Sequence, residues 1–305
     1  MKKILLGIFV AVSHFTAAQI VDIVSVKKLP VDAGYFFPTV SPQGDYLLVS
    51  GNGYNGLVKI DLATNLKSVL STEPSSGYYP TISPDGKKIA YREDSYKAGL
   101  RYVSVKSINL SSPNTVAVEE MKPARDFSGM CMSNGSLKMA QGKKEIRKKS
   151  GNTIEANESP LLVIEDMLPV VYKNGIRTVL APNGTDKTYI WASISPDGKK
   201  MVYTVTSGTV CTYVCDINGK NPVALGKVNA PQWMGNSHII GMNDQDDGHV
   251  YTSSSVEVVS IDGKKRQTLT SGSMIAMYPS ASGDGNTLAF HTVEGGIYIM
   301  NINFK

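Results

Sequence analysis

The densest group of side chains that could carry chemistry lies in residues 243–254, NDQDDGHVYTSS. Asp244, Asp246, Asp247 and His249 crowd a stretch that needs only a turn to connect two strands. Clustered carboxylates suit Ca²⁺, which takes about six to eight oxygen ligands, although the later Glu of an EF-hand loop is missing. The alternative is local, with Asp247 and His249 capping the turn through backbone hydrogen bonds. We favour this structural interpretation, and we keep the three aspartates as candidate metal ligands.

Other catalytic arrangements are sparse. Beyond residue 18, the histidines are His238, His249 and His291. A lyase-like site could combine His249 or His291 with Arg92 and a metal ion, but no spacing demands it. The sequence contains neither a Gly-x-Ser-x-Gly nucleophile motif nor a phosphate-binding glycine loop. The residues therefore favour a binding protein over an enzyme.

Aromatic residues recur just before a series of short predicted strands and form a second candidate site. Rings around a funnel, together with a few charges, suit a peptide or sugar ligand. The structural alternative, in which the rings wedge neighbouring sheets together, is the more frequent use of such rings. The residues assigned to this ligand site are Tyr35, Tyr54, Tyr79, Arg92, Tyr96, Trp191, Asp247, His249, Tyr278 and His291.

These aromatic residues belong to a repeat. Residues 79–91, YPTISPDGKKIAY, are typical of a hairpin in which a Pro-Asp-Gly reversal joins two short strands. Related segments are FPTVSPQGDYLLV (37–49), WASISPDGKKMVY (191–203), YPSASGDGNTLAF (278–290) and two degenerate copies at 129–141 and 230–242. The equivalent positions are 41, 83, 133, 195, 234 and 282, separated by 42, 50, 62, 39 and 48 residues. Such intervals indicate propeller blades of about 40–50 residues.

Six copies predict an all-β, six-bladed β-propeller with four-stranded blades. We expect the strand Ile20–Lys27 to form the outer edge of the last blade and so close the ring. The polar and partly basic residues 141–159 are expected to be a solvated loop of the third blade, followed by its outer hairpin at 160–180. Asp85 and Asp197, in the Ser-Pro-Asp-Gly turns, are predicted turn formers on the face opposite the aromatic residues.

The repeats resemble those of TolB-type, WD-like six-bladed propellers of bacterial envelope proteins, and also the propeller domains of prolyl-oligopeptidase-like peptidases. The resemblance rests on the Ser-Pro-Asp/Gln-Gly turns and covers nearly all of the chain after residue 18. It implies the fold and leaves the function open, because propellers host many unrelated activities. We expect neither TolB's additional N-terminal domain nor a hydrolase domain in this chain, so TolB's partners are not carried over.

The N-terminus predicts export. Lys2 and Lys3, the apolar run Ile4–Val12 and the small residues up to Ala18 are typical of a signal peptide, residues 1–18, before a single propeller domain at 19–305. The apolar run is shorter than the roughly 20 residues of a membrane span. We therefore expect a periplasmic or secreted protein without a transmembrane segment.

The net charge argues against nucleic-acid binding, and the cysteine spacing argues against a disulfide between Cys211 and Cys215. The formal charge of +5 falls to +3 without Lys2 and Lys3, too little to indicate binding to nucleic acid. Cys131, Cys211 and Cys215 are expected to be buried free thiols. The last two lie about 13 Å apart on one predicted strand, too far to bridge each other.

Together these features predict an exported, monomeric, non-catalytic propeller that binds an envelope protein, a peptide or a glycan at its channel mouth. The alternative is a metal-assisted lyase or hydrolase acting on a polysaccharide or peptide. No cofactor is expected, unless Ca²⁺ binds at Asp244, Asp246 and Asp247.

Overall fold

The computed structural model describes residues 19–133, 136–149 and 159–305, and the predicted signal peptide lies outside them. In this part of the chain, 26 β-strands form seven antiparallel sheets. Two short 3₁₀ segments, Asn52–Tyr54 and Ala124–Asp126, lie between strands. Consecutive sheets pack against each other around a ring, which makes the fold a β-propeller. None of the described helices is long and apolar enough to cross a membrane.

Each sheet is one blade, numbered here along the chain. Blade 1 contains β2 Phe36–Val40, β3 Tyr46–Ser50, β4 Leu57–Asp61 and β5 Lys67–Ser71. Blade 2 contains β6 Thr81–Ile82, β7 Lys88–Lys97, β8 Leu100–Asn109 and β9 Ser112–Pro123. Blade 3 contains β10 Phe127–Met132, β11 Ser136–Gln141 and β12 Lys144–Lys149. Blade 4 contains β13 Leu161–Glu165, β14 Leu168–Lys173 and β15 Ile176–Val179.

The remaining blades complete the ring. Blade 5 contains β16 Tyr189–Ile194, β17 Lys200–Val205, β18 Cys211–Asp216 and β19 Val223–Gly226. Blade 6 contains β20 Asn229–Met234, β21 His238–Asp246, β22 Tyr251–Ser260 and β23 Arg266–Thr268. Blade 7 contains β24 Ala276–Ala281, β25 Thr287–Thr292, β26 Ile297–Phe304 and the N-terminal β1 Val21–Lys28.

The prediction of six blades is wrong, because the 62-residue interval between positions 133 and 195 holds two short sheets. Residues 144–149, expected in a solvated loop, form β12 and pair with β11. The rest of that expected loop, residues 150–158, lies outside the described residues. Residues 161–179, expected as the outer hairpin of the third blade, form the independent blade 4. Five of the seven sheets have the four strands that the repeat predicts.

The extra blade escapes the repeat because its turn chemistry differs. Asp166 and Met167 join β13 to β14 with φ values of 49° and 67°, the two-residue hairpin geometry with positive φ at both positions. No Ser-Pro-Asp-Gly signature is needed for such a turn. In β12, KEIRKK, five of six residues are charged and only Ile146 packs against the blade 3 core. Its composition therefore looks like that of a loop.

The predicted closure by the N-terminal strand is confirmed. β1 runs antiparallel to β26, with Val21 opposite Phe304 and Lys28 opposite Tyr298. The backbone nitrogen of Val21 also donates to Gln267 Oε1 of blade 6 at 2.9 Å. The first and last described strands thus share one sheet, which closes the ring through backbone hydrogen bonds.

The core lies between the blades, where the faces of neighbouring sheets meet. Tyr46, Ile89 and Tyr91 pack between blades 1 and 2, and Tyr46 Oη donates to the carbonyl of Gly86 at 2.8 Å. The cysteines follow the prediction in being free, although only Cys215 is fully buried while Cys131 and Cys211 are half-buried. Burial raises the pKa of the Cys215 thiol to about 12, so it packs as an inert apolar group.

The predicted role of Asp85 and Asp197 as turn formers is confirmed. Ser195 Oγ donates to Asp197 Oδ1 at 2.6 Å, and Ser83 Oγ donates to Asp85 Oδ1 at 2.5 Å. The bond from Ser195 holds the pKa of Asp197 below its ordinary value. These turns surround one end of the central channel, which leaves the other end for the loops that carry the aromatic residues.

Candidate ligand site at the channel mouth

A β-bulge recurs at the same point of the innermost strands. In blade 7, Met277 pairs with His291 and Ser280 pairs with Ala289, so Tyr278 and Pro279 together oppose a single residue. Blades 1, 5 and 6 show the same two-against-one register shift in β2, β16 and β20. A bulge interrupts the alternation of a strand and re-aims a side chain. Here it directs one residue per blade towards the channel.

The first bulged residue has a left-handed backbone in all four of these blades, and so does Tyr79, which occupies the same repeat position just before β6. The residues are Phe37 (φ 52°), Tyr79 (φ 49°), Trp191 (φ 52°), Ala230 (φ 47°) and Tyr278 (φ 47°). A bulky side chain at positive φ costs on the order of 1–3 kcal/mol and persists only where the surrounding structure enforces it. In four of the five cases a proline follows, and proline has no N–H that the interrupted ladder would leave unpaired. Four blades therefore hold an aromatic residue in a strained backbone conformation, with its ring in the wall of the channel.

The first mouth cavity lies among these rings. It measures about 130 Å³, and its lining includes Phe37, Tyr54, Tyr79, Tyr278 and Gln232. Phe37 stacks on Tyr54 at a centroid distance of 3.9 Å and meets Tyr278 edge-on at 4.9 Å. Tyr79 remains 49% exposed. The rings therefore form an open aromatic wall and are not merely core filling.

A larger second mouth cavity lies beside the first. It measures about 520 Å³, and Tyr79 and Gln232 line both. Its walls also carry Phe127, Trp191 and Arg92. A cavity of this size falls within the range of small-ligand pockets, about 300–1,000 Å³.

The channel continues to the opposite end of the ring. A far cavity of about 730 Å³ is lined by the reversals between the first two strands of the blades, including Pro42, Pro84 and Pro196. Gln232 lines all three cavities and Ser193 lines the second and third. The two mouth cavities are thus the aromatic upper part of a single central channel.

Two hairpins rise on either side of the first mouth cavity. In blade 2, β7 and β8 pair as far as Lys97 and Leu100, and in blade 6, β21 and β22 pair as far as Asp246 and Tyr251. These hairpins flank blades 1 and 7, whose corresponding loops are short. Tyr251 packs in a cluster with Trp191 and Tyr278. The hairpins therefore form side walls above the aromatic floor.

Arg92 is the one charged side chain among the described residues that line either mouth cavity. Its guanidinium lies 4.0 Å from the centroid of the Tyr78 ring, in a cation–π contact. Burial lowers the pKa of Arg92 from its ordinary value, but a guanidinium remains charged in proteins. The mouth therefore presents one positive charge among aromatic rings.

His291 supports the first mouth cavity from behind. Its ring stacks on Tyr278 at 5.5 Å and meets Phe37 edge-on at 5.3 Å. Nδ1 donates to the carbonyl of Thr292 at 2.9 Å, so the buried Nε2, which has no hydrogen-bond partner, is the acceptor nitrogen of a neutral imidazole. Burial lowers the pKa of His291 to about 4.

This burial predicts a pH-dependent stability. In the unfolded chain the imidazole titrates near pH 6.5, so on acidification the unfolded state takes up the proton first. The contribution of His291 is fully present above about pH 6.5 and falls as the pH drops towards 4, by up to about 3 kcal/mol. We expect His291→Phe to remove this component. Urea unfolding at pH 7.5 and 4.5 measures it, and equal losses in the wild type and the variant would contradict it.

The acidic loop forms local hydrogen bonds. Asn229 Nδ2 donates to Asp244 Oδ1 at 2.8 Å, and Asp247 Oδ1 accepts from the backbone nitrogens of His249 and Val250, both at 2.9 Å. These backbone bonds, Val250 first, hold the pKa of Asp247 below its ordinary value. Asp246 Oδ1 accepts from the backbone nitrogen of Gly248 at 3.0 Å.

The three carboxylates therefore act separately. Among the side chains that the structure describes, no group of three or more His, Cys, Asp or Glu is arranged to hold a metal ion. The geometry agrees with the local alternative for Asp247. It gives no support to a Ca²⁺ site at Asp244, Asp246 and Asp247, and that role stays a sequence-based prediction.

The structure brings together half of the residues assigned to the mouth. Those that line a mouth cavity are Tyr54, Tyr79, Arg92, Trp191 and Tyr278. Tyr35 packs instead against the core between blades 1 and 7, with Lys67 Nζ 5.8 Å from its ring centroid. The others lie at the exposed hairpin ends, as do Tyr96, Asp247 and His249, or behind the rings, as does His291.

Phe37, Phe127 and Gln232 are among the lining residues that were not predicted. Phe37 occupies the repeat position of Tyr79, and the alignment of FPTV with YPTI already contained that signal. Phe127 begins the strand β10 of a degenerate copy, and Gln232 lies in the small or polar column of the repeat. Neither position has a turn motif or charge pattern that would mark it.

Comparisons with known proteins support the fold. Neither a family model nor a curated protein sequence matches the chain. Among solved structures, it is similar to TolB from Acinetobacter baumannii, with 15% identity, a TM-score of 0.54 and coverage of 81% of this chain and 57% of TolB. It is also similar to an oligogalacturonate lyase from Vibrio parahaemolyticus, with 13% identity, a TM-score of 0.50 and coverage of 90% and 79%.

A further similar structure is an oligogalacturonate lyase in complex with manganese, with 13% identity, a TM-score of 0.51 and coverage of 89% of this chain and 77% of that one. Identities this low show a shared β-propeller fold and no more. Because one fold appears in both TolB and these lyases, the function has to be argued from the mouth itself.

Proposed function

We propose that this protein is an exported, non-catalytic β-propeller that binds a protein, peptide or glycan segment at its channel mouth. The proposal rests on three features that Phe37, Tyr79, Trp191 and Tyr278 have in common. All four occupy one repeat position, all have a strained left-handed backbone, and all line a mouth cavity. Strain of this kind concentrates at binding and active sites.

The structural alternative, in which the rings only wedge the blades together, fits less well. Wedges would be fully buried, whereas Tyr79 is 49% exposed and Trp191 and Tyr278 are half-buried. Wedges would also leave no space between them, whereas these rings enclose cavities of about 130 and 520 Å³. Open aromatic surfaces next to a single charge suit recognition.

The lining of the mouth favours binding over turnover. No Asp, Glu, His or Cys of the described chain lines either mouth cavity. A general acid or base must reach the reacting atom within hydrogen-bond distance. The phenols of Tyr54, Tyr79 and Tyr278 line the first mouth cavity. Burial raises the pKa of all three, that of Tyr54 to about 12, which makes them poor bases near neutral pH. A metal-assisted lyase or hydrolase remains the alternative that a turnover assay can establish.

One experiment separates these functions. Purified residues 19–305 are applied to peptide and glycan arrays, and the same preparation is incubated with envelope polysaccharides and peptides, with and without added divalent metal ions. We expect selective retention of one ligand class and no product. Trp191→Ala should abolish retention, while Phe304→Ala, at the end of β26 and outside both mouth cavities, should leave it unchanged. Retention that survives Trp191→Ala, or product that accumulates, would contradict the proposal.

A further inference from the structure

The second mouth cavity contains two buried polar atoms without a partner. Arg92 Nε has no hydrogen-bond acceptor, and its nearest carboxylate oxygen, Asp94 Oδ1, is 3.8 Å away. Ser193 Oγ, on the wall of the same cavity, is also buried and unpaired. An unsatisfied buried donor normally costs about 1–3 kcal/mol. Two such donors at one cavity therefore point to a ligand that accepts hydrogen bonds.

Asp94 carries one negative charge beside two guanidinium groups. Its Oδ1, which faces Arg92 Nε, is itself buried without a hydrogen-bond partner, and its Oδ2 is engaged by other groups. Arg101 Nη1 approaches Asp94 Oδ2 at 3.6 Å, and Ser75 Oγ donates to the same oxygen at 2.9 Å. Two guanidinium groups thus share one carboxylate. The side chain of Arg92 is 15% exposed, so water screens its charge only weakly. The excess positive charge at this wall favours an anionic ligand.

Most of the rest of the wall is apolar or aromatic. Phe127, Leu162, Ile164 and Trp191 line the cavity, and its polar side chains besides Arg92 and Ser193 are Tyr78, Tyr79, Ser128, Tyr189 and Gln232. A sugar ring would place several hydroxyl groups against these side chains, and each hydroxyl without a partner costs free energy. A carboxylate attached to an apolar side chain matches both parts of the lining. The C-terminal residue of a peptide has this combination.

We infer that the second mouth cavity binds the C-terminal carboxylate of a peptide whose last side chain is apolar. The carboxylate accepts from Arg92 and Ser193, and the side chain packs against Trp191 and Phe127. This inference rests on the proposed binding function and narrows it to one ligand class. Arginine suits the role because its planar fork can donate two parallel hydrogen bonds to a carboxylate.

The test compares N-acetylated tripeptides ending in Phe, Leu or Trp, each as the free acid and as the C-terminal amide. Isothermal titration against residues 19–305 should show free acids binding about ten- to a hundredfold more tightly than amides, the size of a charge-assisted hydrogen bond. In Arg92→Gln we expect the ratio to fall to about one. Arg92→Lys, which keeps the charge but loses the fork, should retain an intermediate ratio.

Arg125→Gln is the matched control. Its guanidinium is 88% exposed, lies 3.9 Å from Asp126 and does not line the cavity. This variant should keep the full acid-to-amide ratio, and thermal melts of all variants exclude unfolding as the cause of any loss. Equal affinities of acid and amide in the wild type, or binding of glycans in place of every peptide, would overturn the inference while leaving a binding mouth. No retention of any peptide or glycan would overturn the proposed function as well.

Discussion

Replacing Tyr79 and Tyr278 together with alanine is expected to weaken ligand binding at the mouth by about a hundredfold or more. Both rings line the first mouth cavity, where Tyr278 is half-buried against Phe37 and His291 and Tyr79 is 49% exposed. A buried aromatic side chain at the centre of an interface is worth at least about 2 kcal/mol on truncation. Two such losses, even if not fully additive, exceed a hundredfold in affinity.

Tyr96→Ala is the control for this prediction. Tyr96 is on the same face, near the end of the β7–β8 hairpin, but it is 71% exposed and lines neither mouth cavity. We expect its affinity to change by less than about threefold, the range of ordinary surface substitutions. Equilibrium titration with the ligand retained on the arrays measures both variants. Equal losses of affinity in the two variants would contradict the prediction, because binding would then not depend on the rings that line the cavity.

Gly77→Ala is expected to destabilise the protein by about 2–3 kcal/mol or more. A Cβ at this position would lie 2.1 Å from Ser50 Cβ, 2.7 Å from Ser50 Oγ and 3.0 Å from the carbonyl oxygen of Gly56. Ser50 is 1% exposed and belongs to β3, so the clash cannot be relieved without moving a strand. Overpacking of this kind costs about 1–3 kcal/mol and occasionally more. Because Gly77 also lines the first mouth cavity, the shift should reach Tyr54 and Tyr79 too.

The matched control is Gly272→Ala. A Cβ there meets no atom within 4 Å, and its backbone is not left-handed. We expect no loss of stability and a gain of up to about 1 kcal/mol, because alanine restricts the unfolded chain. Urea denaturation of both variants provides the comparison. If Gly77→Ala unfolded at the same urea concentration as Gly272→Ala, the close contact between Gly77 and Ser50 would not be required for stability.

The sequence predicts most strongly where local turn chemistry and strand alternation coincide. The hairpin of β6 and β7 follows directly from the repeat. The pairing of β1 with β26 follows from the lengths of the segments before the first repeat and after the last one. Blade 4 was missed because Asp166 and Met167 form a turn that only their positive φ values reveal. β12 was missed because its charged residues conceal its single core contact, Ile146.

The sequence predicts an aromatic site at the channel mouth, but only half of the residues assigned to it line a mouth cavity. Alignment within the repeat is sufficient to find Tyr79, Trp191 and Tyr278, because the bulge places one column of the repeat in the channel. Tyr35 precedes β2 and is predicted at the mouth, but the bulge at Phe37 decides which ring enters the channel, and Tyr35 packs against the core. The unpaired state of Arg92 depends on Asp94 being shared with Arg101, and such three-body arrangements cannot be read from spacing.

Trp191 allows the central claim to be measured directly. The chain has two tryptophans, and the other, Trp233, is 9% exposed and packs between blades 5 and 6. In a Trp233→Phe background, fluorescence therefore reports on the mouth alone, and acrylamide quenching measures the access of water to it. A ligand bound at the mouth should reduce the quenching of Trp191 and shift its emission. Saturating ligand that leaves both quenching and emission unchanged would place the binding site elsewhere and contradict the account.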